Sequence, residues 1–421
     1  MRRRSFALPP STGSGRAGVV LDERLTHLTE LYDKYARAAE RMLHFVETRT
    51  TDMASGTMRV PVADYLSEER FEAEIARIFK RLPLMLALTI ELPQVNDYKA
   101  MEVMGLPVLI TRGKDGKARA FLNVCKHRAM HLAKEGKGNC KAFACQYHGW
   151  TYSNEGKLIG IAEASTFGEV DRSTLNMTEL PCDEAAGLIF VILTPDLPIN
   201  AIEWMGGMYE DFAALRLETW YFHKARTMKG ANWKVAYDGY LEGYHFQAAH
   251  TNTVATRSPS NRAHYEGFGP HIRLGFPQNS ITRLADLPRE EWGRQENNGY
   301  DFIRMLFPNM SFFLAPEMGQ LAQLFPGPKA NQNTTVMNYI FPVKPETEEG
   351  LAALDRMCDF FFDVVEEEDY FLGLKVQNGL ESGAMTHQTF GRNEPGNQFF
   401  HKWIAYYLDE SGSTPMPVMK A

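Results

Sequence analysis

Two short cysteine–histidine pairs constrain this chain of 421 residues more than any other feature. One residue separates Cys125 from His127, and two residues separate Cys145 from His148, about one hairpin further along. Two thiolates and two imidazoles in matched loops suit a two-iron cluster, in which one iron binds both sulfurs and the other both nitrogens. Structural zinc sites do not commonly take one cysteine and one histidine from each half. Four such ligands at two short spacings seldom arise by chance as unrelated buried residues.

This pattern resembles the Rieske [2Fe–2S] domain. The resemblance implies that both pairs hold the cluster, namely Cys125, His127, Cys145 and His148. Histidine ligands make such a cluster less negative and raise its reduction potential, so that it can accept an electron and pass it on. Ala129 and Met130 stand where many members of the family carry glycine and a small residue. We therefore expect the tip of the first loop to differ in shape.

A second histidine pair lies in residues 232–250, where His245 and His250 are five positions apart. On an ideal α-helix five residues turn by ~500°, so the two rings would point ~140° apart. Both can reach one metal ion only if the helix ends, bulges or widens between them. Alone, the pair is weak evidence of a metal site, because two histidines in one segment are more often separate core or surface residues.

The surrounding residues strengthen the second pair. Asn232-Trp233-Lys234, two acids and then the histidines closely resemble the catalytic-domain signature of Rieske non-haem iron oxygenases, the α subunits of ring-hydroxylating oxygenases. The resemblance extends from about residue 65 to residue 379. It implies an iron held by two histidines and one distant carboxylate. The acidic run of residues 366–369 offers the best match; the candidate ligands are Asp369, which we favour, Glu368 and Glu366.

The two acids before the histidines also receive roles by resemblance. Glu242 takes the place of an acid that links a cluster histidine of one subunit, here His148, to the iron histidine of its neighbour, here His245. The alternative is that Glu242 only orients His245, as carboxylates near ligating histidines commonly do. Asp238 lies one helical turn before Glu242, and we expect it in the same polar network.

The remaining sequence predicts an α+β protein with a small antiparallel β domain and a larger catalytic domain. Family resemblance implies that the larger domain is an antiparallel sheet with helices, of the helix-grip or START-like kind. Residues 1–18 are rich in Arg, Pro, Ser and Gly and predict disorder. Residues 19–81 predict helices that pack either on the catalytic domain or on another subunit, because an apolar stripe runs over about 21–48. A second helix is predicted over about 67–80, with Asp64 or Ser67 as its cap. We expect the cluster domain at 82–195, with a hairpin turn at 114–117. The iron domain is expected at 196–421, with one helix over 202–215 and a long helix over 347–378.

Composition excludes several classes of protein. The net charge of −7 argues against a nucleic-acid partner. No apolar run approaches the ~20 residues that span a bilayer, and the arginine-rich start lacks the apolar region of a signal peptide. Two of the five cysteines are assigned to iron. The thiols that remain suit a reducing cytoplasm.

The resemblance implies the terminal oxygenase component of a system that uses O2 and electrons from NADH or NADPH. A reductase, in some systems with a ferredoxin, would deliver the electrons to a head-to-tail homotrimer, with or without a β subunit. The expected reaction is hydroxylation of an aromatic or other small organic substrate, as in aromatic hydrocarbon catabolism. An O- or N-demethylase acting on a methyl ether or quaternary amine is the alternative. An electron-transfer protein without catalysis and a zinc-stabilised binding module are open hypotheses from other classes.

Overall fold

The computed structural model describes residues 16–294, 299–315 and 317–419. The N-terminal part contains α1 (Arg16–Thr48), β1 (Met58–Pro61), α2 (Ala63–Leu66), α3 (Glu68–Glu74) and a π-helical turn at Ile75–Phe79. Of the two predicted caps, Ser67 begins α3 by accepting a hydrogen bond from the amide of Arg70 at 3.1 Å. The segment expected to be disordered lies outside the described residues, except that α1 includes residues 16–18.

A small antiparallel β domain follows, as predicted. Its elements are β2 (Leu84–Leu88), β3 (Asp97–Val103), β4 (Leu106–Arg112), β5 (Ala118–Leu122), β6 (Gly136–Asn139), β7 (Ala142–Ala144), β8 (Thr151–Ser153), β9 (Leu158–Gly160), α4 (Ala164–Phe167), β10 (Glu179–Leu180), β11 (Cys182–Ala185) and β12 (Leu188–Val191). The sheets have the orders β10-β5-β4-β3-β6, β7-β8-β9 and β11-β12-β2. The predicted hairpin turn joins β4 to β5, and Gly116 supplies its positive φ of 78°.

The larger part of the chain is built on a second antiparallel sheet. Its elements are α5 (Ala201–Met205), α6 (Met208–Leu215), β13 (Tyr221–Gly230), α7 (Trp233–Tyr240), α8 (Phe246–Ala249), β14 (His264–Phe268), β15 (His271–Pro277), β16 (Tyr300–Leu306), β17 (Met310–Ala315), β18 (Met318–Pro326), β19 (Asn333–Phe341), α9 (Glu348–Val364), α10 (Phe371–Glu381), β20 (His387–Phe390) and α11 (Pro395–Leu408). Short 3₁₀ turns connect some of them, at Thr89–Glu91, Arg172–Leu175, Leu217–Thr219, Val254–Thr256, Ile281–Asp286 and Arg289–Glu291.

Helices cover both faces of the seven-stranded sheet, whose order is β13-β19-β18-β17-β16-β15-β14. Helix α7 contacts β18 and β19 on one face, and α1 contacts β14 and β15. The stripe of α1 is buried against the same chain, since Tyr35, Ala39 and Met42 share a core with Ile281 and Phe302. In this structure the stripe is therefore covered within the subunit.

Two predicted helices are interrupted. The segment expected as one helix over 202–215 is split into α5 and α6, because Gly206 adopts a φ of 52° that ends α5. The long helix predicted over 347–378 begins after its cap Thr347 but contains a π-helical turn at Val365–Tyr370. A π turn holds more residues than an α turn and so changes which side chains face the core.

The Asn232-Trp233-Lys234 sequence fixes the start of α7. Asn232 accepts a hydrogen bond from the Lys234 amide at 2.8 Å and caps the helix. The Trp233 indole donates to Glu74 at 2.7 Å, and the Lys234 ammonium pairs with the same carboxylate at 2.6 Å. Glu74 and Lys234 are both almost fully buried. This ion pair therefore joins α7 to α3 and positions the segment that carries the second histidine pair.

Replacing Glu74 by glutamine should destabilise the protein strongly. The substitution leaves the Lys234 ammonium buried without a counter-charge, which typically costs about 3–5 kcal/mol. We expect a lower urea midpoint for E74Q, and recovery when Lys234 is also replaced by methionine. Glu72 lies exposed on the same helix, so E72Q is the matched control. Equal midpoints for E74Q and E72Q would contradict this account.

Candidate metal centres

The two cysteine–histidine loops have the same backbone hydrogen bonds. The amide of Cys125 donates to the carbonyl of Met130 at 2.8 Å, and that of Cys145 to the carbonyl of Trp150 at 2.7 Å. Ala129 and Gly149 occupy equivalent positions with φ of 57° and 69°. Ala129 thus adopts the left-handed conformation that glycine adopts in the second loop. With alanine at position 129, the first loop therefore keeps the same backbone hydrogen bonds as the second loop.

The two loops bring their cysteines together and their histidines together. The sulfurs of Cys125 and Cys145 are buried, and the rings of His127 and His148 lie 4.6 Å apart. Within the described residues, the Nδ1 atoms of both histidines are buried without a hydrogen-bond partner. Unpaired buried nitrogens are costly unless they bind a ligand. Two buried thiols beside two such nitrogens fit a two-iron, two-sulfide cluster with mixed ligands.

Surrounding groups support these loops. The His127 ring stacks on Trp150 at 4.9 Å, and the hydroxyl of Tyr152 accepts a hydrogen bond from the Lys126 amide at 3.0 Å. The same hydroxyl lies 3.6 Å from the Cys125 sulfur. Burial raises the pKa of the Cys125 thiol. A bound cation would therefore be needed to keep this sulfur as a thiolate.

The second histidine pair lies where the helix breaks, as its spacing requires. Helix α7 ends at Tyr240, and the single turn α8 runs between His245 and His250. Gly243 allows close packing of the connecting loop, because an added Cβ would lie 2.7 Å from the Phe276 ring and force that ring to shift. The two Nε2 atoms consequently approach within 3.1 Å.

Asp369 completes this group from the π-helical turn. Its Oδ1 lies 3.1 Å from Nε2 of His250 and 3.5 Å from Nε2 of His245. Candidate ligand atoms of the three residues all lie within 4.8 Å of one another. Two imidazoles and one carboxylate that converge from one side suit a divalent iron with open positions.

A carboxylate holds the outer nitrogen of each imidazole. Glu242 hydrogen-bonds Nδ1 of His245, and Glu368 hydrogen-bonds Nδ1 of His250. The Thr253 hydroxyl donates to Glu368 at 2.6 Å. Such partners fix the tautomer that directs Nε2 towards a metal. From the sequence, Glu368 and Glu366 are only alternative ligands to Asp369. In the structure Glu368 is the hydrogen-bond partner of His250, and Glu366 is exposed.

The electrostatics of the group favour a cation. Burial disfavours a protonated His245, but hydrogen bonds to Asp369 and Glu242 outweigh burial and raise its pKa to about 10. Burial similarly opposes protonation of His250, yet the pKa is raised by Asp369 and Glu368. The carboxylates that stabilise these imidazolium forms would equally attract a metal ion in place of the protons.

Asp238 lies in a different network from Glu242, contrary to expectation. It accepts a hydrogen bond from the Tyr65 hydroxyl at 2.8 Å and lies 3.0 Å from Nε2 of His401. Burial, followed by the charge of Asp238, raises the pKa of Tyr65 well above its usual value. In the described part of the chain no hydrogen bond joins Asp238 to Glu242. Likewise, none joins Glu242 to His148.

A large apolar cavity opens beside the second group. Its volume is about 780 Å³, and His245, His250 and Asp369 contribute to its wall. The opposite wall is the sheet, from which Phe276 and Phe313 project. A cavity of this size holds a small organic molecule next to the candidate metal ligands.

Comparison with known proteins identifies the family to which the two domains that carry these sites belong. Residues 83–174 match the Rieske [2Fe-2S] domain, and residues 217–410 match the catalytic domain of ring-hydroxylating α subunits. The chain belongs to the Rieske non-haem iron oxygenases. It is the terminal oxygenase component, an enzyme that uses O2 together with a Rieske cluster, a mononuclear iron and electrons from a reductase.

Relatives of this oxygenase include both monooxygenases and dioxygenases. The carnitine monooxygenase oxygenase subunit of Escherichia coli (strain K12) is 26% identical over 365 residues, which cover 82% of this chain and 92% of the relative. Choline monooxygenase of Spinacia oleracea is 25% identical, and the match covers 83% of this chain and 78% of the relative. Chlorobenzene dioxygenase subunit α of a Cupriavidus species is 30% identical, but the match covers only 55% of this chain and 49% of the relative.

Solved structures show the same fold as the oxygenase. A quaternary ammonium Rieske monooxygenase in complex with L-carnitine has a TM-score of 0.71 at 24% identity, covering 85% of this chain and 97% of that structure. Naphthalene 1,2-dioxygenase from Rhodococcus sp. has a TM-score of 0.68 at 19% identity, covering 89% and 98%. These likenesses confirm the predicted α+β architecture. Among the described residues, no helix is long and apolar enough to cross a membrane.

Glu368 should control how tightly the oxygenase holds mononuclear iron. Glutamine at this position weakens the bond that orients His250, and loss of such a partner typically lowers metal affinity about 10–100-fold. We expect E368Q to lose mononuclear iron at lower chelator concentrations, with the visible spectrum of the cluster unchanged. Iron analysis during chelator titration measures the effect. Neighbouring Glu367 is exposed, so E367Q should behave like the wild type; equal losses from both variants would contradict the assignment.

Proposed function

We propose that this oxygenase hydroxylates a small organic amine at a carbon next to nitrogen, which leads to dealkylation. One observation carries the proposal: the carnitine and choline monooxygenases match this chain over more than four fifths of its length. In the sequence comparison, anthranilate and chlorobenzene dioxygenases match only about half of it. Hydroxylation of an aromatic ring, as in aromatic hydrocarbon catabolism, is the second candidate, supported by those dioxygenases and by the apolar cavity.

We assign the iron ligands to His245, His250 and Asp369, and the cluster ligands to the two cysteine–histidine loops. The convergence of three ligand atoms on one side of the cavity supports the first assignment. When bound, the two metal groups supply electrons and activate O2. The residues themselves keep the ligand geometry: Glu242 and Glu368 hold the imidazole rings, and the apolar cavity wall holds the substrate beside the ligands.

We further propose that three subunits form a head-to-tail ring in which Glu242 faces His148 of a neighbour. Two observations support this arrangement. Within one subunit these residues make no hydrogen bond in the part of the chain that the structure describes. Both regions also expose large apolar side chains, Tyr147 beside His148 and Tyr244 beside Glu242. Exposed apolar groups around functional residues are typical of protein interfaces.

The thiols of Cys140, Cys182 and Cys358 are free, which favours the cytoplasm as location.

A substrate screen tests the proposed reaction. The iron-loaded oxygenase, a surrogate reductase and labelled dioxygen are incubated with tertiary and quaternary amines and with aromatic hydrocarbons. The proposal expects amine-dependent oxygen uptake, one labelled oxygen atom in the products and release of an aldehyde fragment. Labelled diols from the aromatic compounds alone would instead support the second candidate.

Subunit mixing should reveal whether electrons cross between neighbours. We expect C145S to lack a functional cluster and H250A to lack mononuclear iron, so each variant alone is inactive. When both are expressed together, mixed trimers contain neighbours with one intact group each, and part of the activity should return. Co-expression of C145S with a C125S variant is the control, because every subunit then lacks a functional cluster. No recovery with H250A would contradict the ring, as would a mass below three chains.

A further inference from the structure

The cavity contains an acid that the metal site does not use. Asp301 lies on β16. The cavity wall to which it belongs is the face of the sheet opposite α1. Strand residues alternate between faces, so Asp301 and Ile303 line the cavity while Phe302 packs under α1. Phe276 is the cross-strand partner of Asp301, and Phe313 is that of Ile303. Asp301 is therefore a carboxylate set among apolar and aromatic side chains.

This carboxylate has few partners. Gln278 donates one hydrogen bond to its Oδ2 at 2.8 Å. No described residue donates to its Oδ1, and the charged group that acts on it is the exposed guanidinium of Arg257 at the cavity wall. Burial raises the pKa of Asp301. A half-buried carboxylate in an apolar wall, with one neutral hydrogen bond, has room for a cation or a second donor.

We propose that Asp301 binds the ammonium group of the substrate and thereby selects organic cations. The inference rests on the proposed amine reaction and adds the residue that recognises the amine. The rings of Phe276 and Phe313 line the same wall, and aromatic faces attract ammonium groups. Gln278 holds the carboxylate in place. Arg257 carries the opposite charge, which suits an amine that also bears an anionic group.

A pair of probes with the same shape isolates the charge. Phenyltrimethylammonium and tert-butylbenzene differ mainly in replacing a quaternary nitrogen by carbon. Their dissociation constants are measured by calorimetry with the iron-loaded oxygenase in the absence of dioxygen. We expect the wild type to bind the cation at least about tenfold more tightly, since the half-buried carboxylate and its aromatic neighbours attract the charge together.

The variant D301N removes the charge and keeps the shape and the hydrogen bond to Gln278. It should lose most of the preference for the cation and bind tert-butylbenzene within about twofold of the wild type. The control D286N removes an exposed acid and should change neither constant. Iron content and urea midpoint check that each variant is folded, and D301S provides a second substitution if D301N is not.

Two results would overturn the inference: a wild type that binds both probes equally, or a D301N variant that retains the preference. Turnover is scored separately from binding. Selective binding of the cation without hydroxylation of any amine would overturn the proposed function and leave the role of Asp301 standing. Hydroxylation of amines by an enzyme that binds both probes equally would overturn the role of Asp301 and leave the proposed function standing. Equal effects of D301N on both probes leave the preference unchanged, so they count as the second of these results and would show a role in cavity shape only.

Discussion

Two carboxylate–imidazole hydrogen bonds organise the catalytic half of this oxygenase. Glu242 and Glu368 each hold the outer nitrogen of one histidine, and together they turn both Nε2 atoms towards Asp369. Without these bonds each ring could rotate, and a neutral imidazole could present either nitrogen. Three acids around two histidines would repel one another if no cation were present. The arrangement is therefore stable only with protons or a metal ion between them.

This requirement explains the irregular helices. Histidines five residues apart diverge on a regular helix, so the chain ends α7, passes through Gly243 and forms a single new turn. On the opposite side a π-helical turn brings neighbouring acids Glu368 and Asp369 to the same imidazole. Such irregularities weaken local hydrogen bonding. The buried Glu74–Lys234 pair and the sheet hold the flanking segments, so the fold offsets that cost.

Local patterns carried most of what the sequence could predict. The two cysteine–histidine loops, the hairpin turn and the broken helix between His245 and His250 each depend on residues a few positions apart. The structure also brings Asp369 to the histidines, although more than a hundred positions separate them along the chain. Family resemblance, and no local pattern, pointed to that residue. The role of Glu368, the Tyr65 and His401 partners of Asp238, and the packing of α1 were not predictable, because they depend on tertiary contacts between distant segments.

The cavity divides its tasks between two kinds of element. Metal ligands and their partners come from helices and helix breaks, where a shift of one residue would misplace a nitrogen atom. The substrate-facing wall comes from the sheet, where alternate side chains can change without moving the backbone. Asp301 and Ile303 lie on that wall, and Phe302 between them belongs to the core under α1. A fold arranged in this way can keep one oxygen chemistry while its strands adapt to amines or to aromatic rings. This separation accounts for relatives that share the fold and differ in the compounds on which they act.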